Sequence, residues 1–409
     1  MAVRRLYYDD ATLRTFEAQV LSCEPVVAEH NPAWGVILDQ TAFYPTSGGQ
    51  PFDTGKLGDA RVTDVRDENS EIVHIVDRPF EPGRVVGCID WQRRFDHMQQ
   101  HTGQHLLSAV LQEGFGLPTV SFHLGAALST IDVRGREPAA DVLEGAERTA
   151  NAIIFEDRAV KVRYGTPEEL ARIGVRKQVD REGVLRAIEI EGVELQPCGG
   201  THVSSTGQIG LLLVRRCTKI RQDWRIEFAC GHRAERVARS DRLALRRAAE
   251  LLKCSEEEAV KSVERLLAER DVRFKSLRAT TERLAEAEAR LVMQEIAPDA
   301  NGWKVVARVL EGVEPVYLAK FATQIARSER AVALLVRREC GHLAFAQHPS
   351  VGKDMSALLK QVLEQIGGKG GGTRDFARGA LEKLEQTDAA IALAQSLLAV
   401  ESAHQAAPK

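Results

Sequence analysis

A mixed α+β fold in four stretches is predicted by three patterns in the sequence. Short β-rich runs broken by Pro, Gly and Asp fill residues 1–90, and helical and strand periods alternate through 91–240. A heptad-like run over 241–297 then leads into strands and helices that alternate through 298–409. The first stretch is expected to form a small β-barrel-like domain and the second an α+β domain. The third reads as a long helical, coiled-coil-like connector and the fourth as an α/β domain. A chain of 409 residues is long enough for several separate cores.

In the first stretch, residues 16–23, 34–38, 71–76 and 84–89 read as strands. Among them lies TAFYPTSGGQPFDTG, residues 41–55, where Gly48 and Gly49 sit between Pro45 and Pro51. Such a loop can bring its backbone close to another surface, although most Gly-Pro loops are only connectors. Its hydroxyl and amide groups, Thr46 and Gln50 among them, suit the wall of a polar pocket. Residues 91–114 read as a helix, followed by strands at 119–124 and 129–133 and a helix over 142–157. A strand is expected at 159–164 and a helix at 167–173, entered through Thr166 with Glu169 as a capping box. Strands at 185–190 and 210–216 complete the stretch. Thr119 and Ser121 alternate with apolar neighbours, so both hydroxyls fall on one strand face, in a cavity or in solvent.

Two short motifs carry the chemistry. In QQHTGQHLL, His101 and His105 are four apart among helix formers, so both imidazoles leave one helix face. In QPCGGTHV, Cys198 and His202 are also four apart, but Pro197, Gly199 and Gly200 demand a tight loop. Either pair alone is more often two polar residues on a wet surface. Together they supply three nitrogens and one sulfur, a donor set that suits one tetrahedral Zn2+ per chain. His97 extends the histidine stripe by one more turn, as a donor behind a ligand, a substitute ligand or a surface residue.

A net charge of −3 excludes global attraction to nucleic acid and leaves the task to local basic surface. Arg215, Arg216, Lys219, Arg221 and Arg225 place five positive charges in eleven residues, usually a solvated face but also a candidate phosphate contact. Seven cysteines without paired spacing point to a reducing, cytoplasmic setting. No run reaches the ~20 apolar residues that span a bilayer, so no membrane partner is expected. Ser255 and Glu258 read as a capping box opening the connector. Counting Val260 as the first seam position, seven of ten seam residues to Leu291 are apolar, which favours a homodimer through this helix or a spacer between domains. In the last stretch, GGKGGG has no nucleotide-triphosphate spacing; Gly368, Lys369 and Gly370 read as an anion nest for RNA phosphate or as a structural turn.

With those motifs in view, the chain resembles the long, stand-alone alanyl-tRNA editing proteins, which are similar to the editing and carboxy-terminal domains of alanyl-tRNA synthetase. FYPTSGGQPFDTG resembles the family's glycine motif, HTGQH and CGGTH match its zinc motifs, and RIEFACG resembles the segment closing the editing domain. GGKGGG resembles the glycine loop of the DHH-associated domain, which in the family engages tRNA. The resemblance implies a zinc-dependent aminoacyl-tRNA deacylase acting on tRNA(Ala) mischarged with serine or glycine, without aminoacylation activity. A site that spares alanine needs a partner that only a serine hydroxyl satisfies, so Ser121, Thr119 and Thr46 are candidates for the substrate pocket, with Gln50, Gly48 and Gly49 of the glycine loop as its wall. Two other readings stay open: a non-catalytic zinc protein that binds tRNA, and editing of a threonyl-type substrate.

Overall fold

The computed structural model describes residues 3–26, 32–68, 71–175 and 183–403, and the chain divides into two compact units, Met1–Ala248 and Ala249–Lys409. In the first unit, a two-residue strand β1 (Arg4–Arg5) and a single helical turn α1 (Leu6–Asp9) precede β2 (Thr15–Val26), β3 (Ala33–Leu38) and β4 (Gln40–Thr41). β5 (Gly55–Leu57), β6 (Ala60–Glu68), β7 (Glu71–Val76) and β8 (Gly83–Ile89) follow. Six of these strands pair antiparallel in a closed cycle, β2-β3-β7-β6-β5-β8, around Val36, Leu38, Phe43, Leu57, Val62 and Val76. β5 and β6 were not evident from the sequence. Val62 and Val65 both face the core, but a register shift between Val62 and Asp64 breaks the two-residue period that marks a strand.

Helix α2 (Trp91–Phe115) begins with Asp90, whose carboxylate accepts the Arg93 amide at 3.2 Å, and ends at Gly116 in the left-handed conformation. One four-stranded sheet contains β9 (Thr119–Leu124) and β10 (Ser129–Val133), and α3 (Ala140–Phe155) packs beside α2. A three-stranded sheet has the order β11 (Val160–Gly165), β12 (Leu185–Ile190) and β13 (Glu194–Pro197), with α4 (Pro167–Arg172) between its first two strands and the expected Thr166–Glu169 capping box present. β14 (Leu212–Ile220) and β15 (Asp223–Cys230) complete the four-stranded sheet in the order β14-β15-β10-β9, and α5 (Gly231–Leu252) follows. Met98, Leu106, Leu107 and Leu111 of α2 pack against Ile131, Ile226 and Phe228 of the sheet and Ala146 and Ala150 of α3.

A buried ion pair ties the strand cycle to α2. The Arg94 Nε reaches both oxygens of Asp53 at 3.0–3.1 Å, and neither side chain is exposed. Asp53 also accepts the Tyr44 amide at 2.6 Å, which holds the intervening glycine loop against the helix. Leaving either charge alone there costs about 3–5 kcal/mol.

The second unit opens with α6 (Ala259–Glu295), a single 37-residue helix. The expected capping box is instead a turn ahead of the helix. The Glu258 carboxylate accepts the Ser255 amide at 3.4 Å and its hydroxyl at 3.2 Å, while Glu258 itself stands at the N-cap. The buried side of α6 also departs from the expected seam. Thr281, Ala285, Ala289, Val292 and Met293 are covered, whereas Val260, Val263, Leu267, Phe274, Leu277, Leu284 and Leu291 are exposed. Ala285 and Ala289 share a cluster with Tyr317, Leu318 and Phe321, and a search for large apolar residues overlooks such small contact positions.

The remaining elements are β16 (Lys304–Leu310), α7 (Pro315–Ile325), β17 (Ala331–Arg337), β18 (His342–Gln347), α8 (Met355–Ile366), β19 (Gly368–Gly372), β20 (Phe376–Leu381) and α9 (Thr387–Ala403). Their sheet has the order β16-β17-β18-β20-β19. GGKGGG is therefore an edge strand, with Gly368 opposite Leu381 and Gly370 opposite Gly379, rather than a nest or a turn. Its amides follow an extended backbone and do not converge on a point.

His74 on β7 gives the fold an acid-sensitive element. Its buried ring donates from Nδ1 to the Val36 carbonyl at 3.0 Å and meets the Thr41 hydroxyl through Nε2 at 2.8 Å. Burial, opposed by the Val36 bond, pushes its pKa from 6.5 down to about 4. The unfolded chain therefore takes up this proton first. His74 stabilises the fold fully above pH 6.5, and its contribution, up to ~3 kcal/mol, is lost as pH falls toward 4. His74→Gln is expected to flatten the decline of Tm between pH 6.5 and 4, measured by calorimetry.

Candidate metal centre

α2 and the loop after β13 bring the two motifs together. His101 and His105 lie one turn apart on a helix buried along its length from His97 to Leu111. The Cys198 amide bonds the Arg186 carbonyl at 3.1 Å, and the Arg186 guanidinium returns to the carbonyls of Cys198 at 2.7 Å and Gly200 at 3.0 Å. Residue 200 must be glycine, because a Cβ there would lie 2.1 Å from the His101 ring. The loop thus folds tightly over the helix and aims Cys198 and His202 at its histidines.

Cys198 Sγ lies 3.4 Å from His101 Nε2 and 3.3 Å from His202 Nε2. All four donor atoms, including that of His105, fall within 4.8 Å of one another. Donors around a tetrahedral zinc, with bonds of ~2.3 Å to sulfur and ~2.0–2.1 Å to nitrogen, stand roughly 3.5 Å apart. The set therefore fits such an ion with little adjustment. Each ring is also braced on its far nitrogen. His101 Nδ1 lies 2.8 Å from Gln50 Oε1, His105 Nδ1 lies 3.0 Å from Glu194 Oε2, and His202 Nδ1 lies 3.1 Å from Thr102 Oγ1. With Nδ1 engaged on every ring, Nε2 is left to face a cation.

The electrostatics favour the same donor set. Burial opposes the Cys198 thiolate, but the imidazoles of His101 and His202 outweigh it and hold the thiol well below its usual range. Burial likewise opposes a charged His105, yet Glu194 and Cys198 push it up to about 10. Burial and the neighbouring His101 push His202 down to about 3. A thiolate is the form in which Cys198 binds metal, whereas His105, held protonated beside Glu194, gives up that proton when an ion binds.

The centre forms one wall of a cavity of about 570 Å³. Gly48, Gly49, Thr119 and Ser121 line it together with Gln104, Ser108 and Gln196. Gly48 and Gly49 both have positive φ, 55° and 80°, in a tight turn closed by reciprocal backbone bonds between Ser47 and Gln50. The other two expected pocket residues lie elsewhere. Thr46 accepts the Phe52 amide at 3.2 Å within its own loop, and Gln50 is fully buried behind His101. Ser121 donates to Asp132 Oδ2 at 2.7 Å. Asp132 receives Arg225 at 2.7 and 2.9 Å, contacts that hold its carboxyl below the usual range. Gln104 donates to the Ser108 hydroxyl at 2.9 Å, while its buried Oε1 has no partner.

Reading the sequence alone missed Gln104, Glu194, Thr102 and the bracing role of Gln50. Gln104 lies inside the HTGQH motif, but only the fold shows its carbonyl unpaired. His97 is 3 % exposed and stands outside the four-residue cluster, which excludes a surface role. The basic run forms a hairpin in which Arg215 pairs with Asp241, Arg216 with Glu227 and Arg225 with Asp132. Lys219 and Arg221 lie exposed near its tip. Lys369 is exposed on the edge strand β19 of the second unit.

Fold and site define an α+β protein with a buried three-histidine, one-cysteine centre of metal-binding type beside a polar cavity. Three family models match the chain: tRNA synthetases class II (A) over residues 4–93, the Threonyl and Alanyl tRNA synthetase second additional domain over 185–227, and the DHHA1 domain over 301–400. Alanyl-tRNA editing protein AlaX-L of Pyrococcus horikoshii is 32% identical, across 93% of this chain and 95% of its own. Alanyl-tRNA editing protein Aarsd1 of Mus musculus is 29% identical, across 97% and 98%. Alanine–tRNA ligase of Pyrococcus abyssi is 33% identical across 95% of this chain, which spans 43% of that enzyme's length. The chain belongs to the alanyl-tRNA editing protein family.

Two substitutions test the donor set. Cys198→Ala is expected to lower the protein's metal content, measured by atomic absorption, because three imidazoles without the thiolate lose its charge. Gln50→Ala keeps all four donors but frees His101, and is expected to weaken zinc affinity ~10–100-fold in a chelator competition.

Proposed function

We propose that the chain deacylates tRNA(Ala) mischarged with serine or glycine, acting in trans at a zinc-containing site formed by His101, His105, Cys198 and His202. The observation that carries this reading is that His105 and Cys198 of that donor set line a cavity whose other walls mix amides, hydroxyls and glycine backbone with the apolar Val120, Phe122 and Pro197. The family of editing proteins supplies the substrate class.

Hydrolysis adds water to the ester carbonyl, breaks the bond to the ribose oxygen and releases the amino acid as a carboxylate while the ribose hydroxyl regains a proton. A zinc ion held there would supply a Lewis acid for the carbonyl or an anchor for the α-amino group once one of the four donors gives way, because four protein ligands fill a tetrahedral ion. The protein's own part is to bind and orient. Asp132 is held by Arg225, and Glu194 faces His105, so neither acid is free to act as a base. The neighbouring ribose hydroxyl of the terminal adenosine is then the group placed to relay the proton.

Selectivity follows from unpaired polarity. Ser121 gives its proton to Asp132 and keeps an oxygen lone pair available, while Gln104 Oε1 has no partner. A serine hydroxyl can pair with Ser121 or, once the side chain turns toward it, with Gln104, whereas an alanine methyl can pair with neither; the penalty of ~1–3 kcal/mol for a buried unpaired oxygen applies to Gln104, since Ser121 is exposed. Ser121→Ala and Gln104→Leu are each expected to lower kcat/KM for seryl-tRNA(Ala) about tenfold or more while zinc content stays whole. Unchanged serine release by a variant removes that residue from the pocket. Dialysis against a chelator is expected to abolish release of serine, and added zinc to restore it. Failure of the metal-loaded protein to release serine at catalytic ratios would refute the proposed function.

The exposed seam of α6 suits a second copy of the chain as a homodimer. Phe274→Glu with Leu277→Glu is expected to halve the mass measured by light scattering. For the tRNA body, Lys219, Arg221 and Lys369 are the exposed cations proposed as phosphate contacts; Arg215, Arg216 and Arg225 are held in ion pairs, and Gly368 and Gly370 offer only backbone.

A further inference from the structure

A second cavity, of about 670 Å³, lies against the amino-terminal half of α2. The segments that wall the first cavity also wall this one. The glycine loop gives Gly49 to the first and Pro51 to the second, and α2 gives His105 to the first and Phe95 to the second. β9 gives Ser121 to the first, and the turn after it gives Gly125 to the second. Phe95 and His105 are ten residues apart, about 15 Å along the helix.

The chemistry of this cavity is not that of the metal centre. Trp91 and Phe95 stack with centroids 5.6 Å apart and planes at 28°, and the Arg14 guanidinium lies 4.3 Å from the Trp91 ring. His97 is buried and its Nδ1 has no partner. Burial and the nearby Arg93 push His97 down to about 4, so the ring is neutral and offers one unused hydrogen-bonding nitrogen. Arg233 is committed to Asp96 at 2.8 Å and to the Gly125 carbonyl, and Arg93 gives its Nε to the Phe52 carbonyl at 2.9 Å, but the terminal nitrogens of Arg93 and the exposed Arg236 also border the cavity. An aromatic platform, an unsatisfied buried imidazole and arginines at the edge fit a base and its phosphate.

We propose that this cavity binds a nucleotide of the single-stranded 3′ arm of tRNA, upstream of the terminal nucleotide whose ester enters the first cavity. Its base rests on Trp91 and Phe95 within reach of His97, and its phosphate faces Arg93 and Arg236. The inference rests on reading the chain as a tRNA deacylase. Shared walls, with lining residues about 15 Å apart along α2, favour one extended strand over two unrelated small ligands.

Calorimetric titration of the whole protein with adenosine and with the trinucleotide CCA tests it. CCA is expected to bind about tenfold or more tighter than adenosine, the scale of one stacked base. Arg236→Glu and His97→Phe are each expected to erase that gain. Arg236 is exposed, so its variant keeps the test decisive should His97→Phe fail to fold. Equal affinities in the unaltered protein, or a gain that Arg236→Glu leaves intact, overturn the proposal. Serine release from seryl-tRNA(Ala) by the same preparations separates the two readings. Hydrolysis without the length gain sinks the cavity alone; the length gain without hydrolysis sinks the deacylase alone.

Discussion

The side-chain amide of Gln50 joins three parts of the chain that are far apart in sequence. Its Oε1 meets His101 Nδ1 at 2.8 Å and the Thr201 amide at 3.1 Å, while its Nε2 donates to the Thr201 hydroxyl at 2.8 Å. One buried residue thus orients a metal-binding imidazole, fixes the CGGTH loop over it, and anchors the glycine turn beside the cavity. The buried Arg94–Asp53 pair serves the same end, since it fixes the loop from which Gln50 reaches inward. Such a junction is sensitive to small errors, because an amide with its partners removed is left buried and unpaired.

The acids around the centre are all occupied. Glu194 braces His105, Asp132 is held by Arg225, and Asp53 is paired with Arg94. The cavity wall thereby combines a metal-binding donor set with neutral amides and hydroxyls, a surface suited to sorting small amino acids by a single hydroxyl group. Three buried histidines and the partly buried Cys198 are gathered there from one helix and one loop.

The two units differ in how their surfaces are used. In the first, arginines are drawn into fixed pairs that stiffen the sheet under the cavity, so a basic run in sequence becomes a supporting hairpin. In the second, α6 buries Ala285 and Ala289 with Val292 and Met293 and turns most of its large apolar residues outward. The physical reason is packing distance: alanines allow a neighbouring helix to approach closely, and the bulky residues then fall on the opposite side.

Local patterns by themselves determined the main elements around the centre and its four donors. Spacing of four on a helical run placed His101 and His105 on one face, and glycine and proline required a loop at Cys198. The α2 helix, the β9–β10 hairpin and the Thr166 cap followed from periodicity and capping chemistry, which act within a few residues. Tertiary structure alone decided what those residues meet: Gln50 behind His101 and not in the cavity wall, Glu194 on His105, Gln104 with an unpaired carbonyl, Arg225 tied to Asp132. It also made GGKGGG a strand and left the α6 seam uncovered. Each of these outcomes depends on which distant groups share a buried space, and short-range sequence periods carry no record of that.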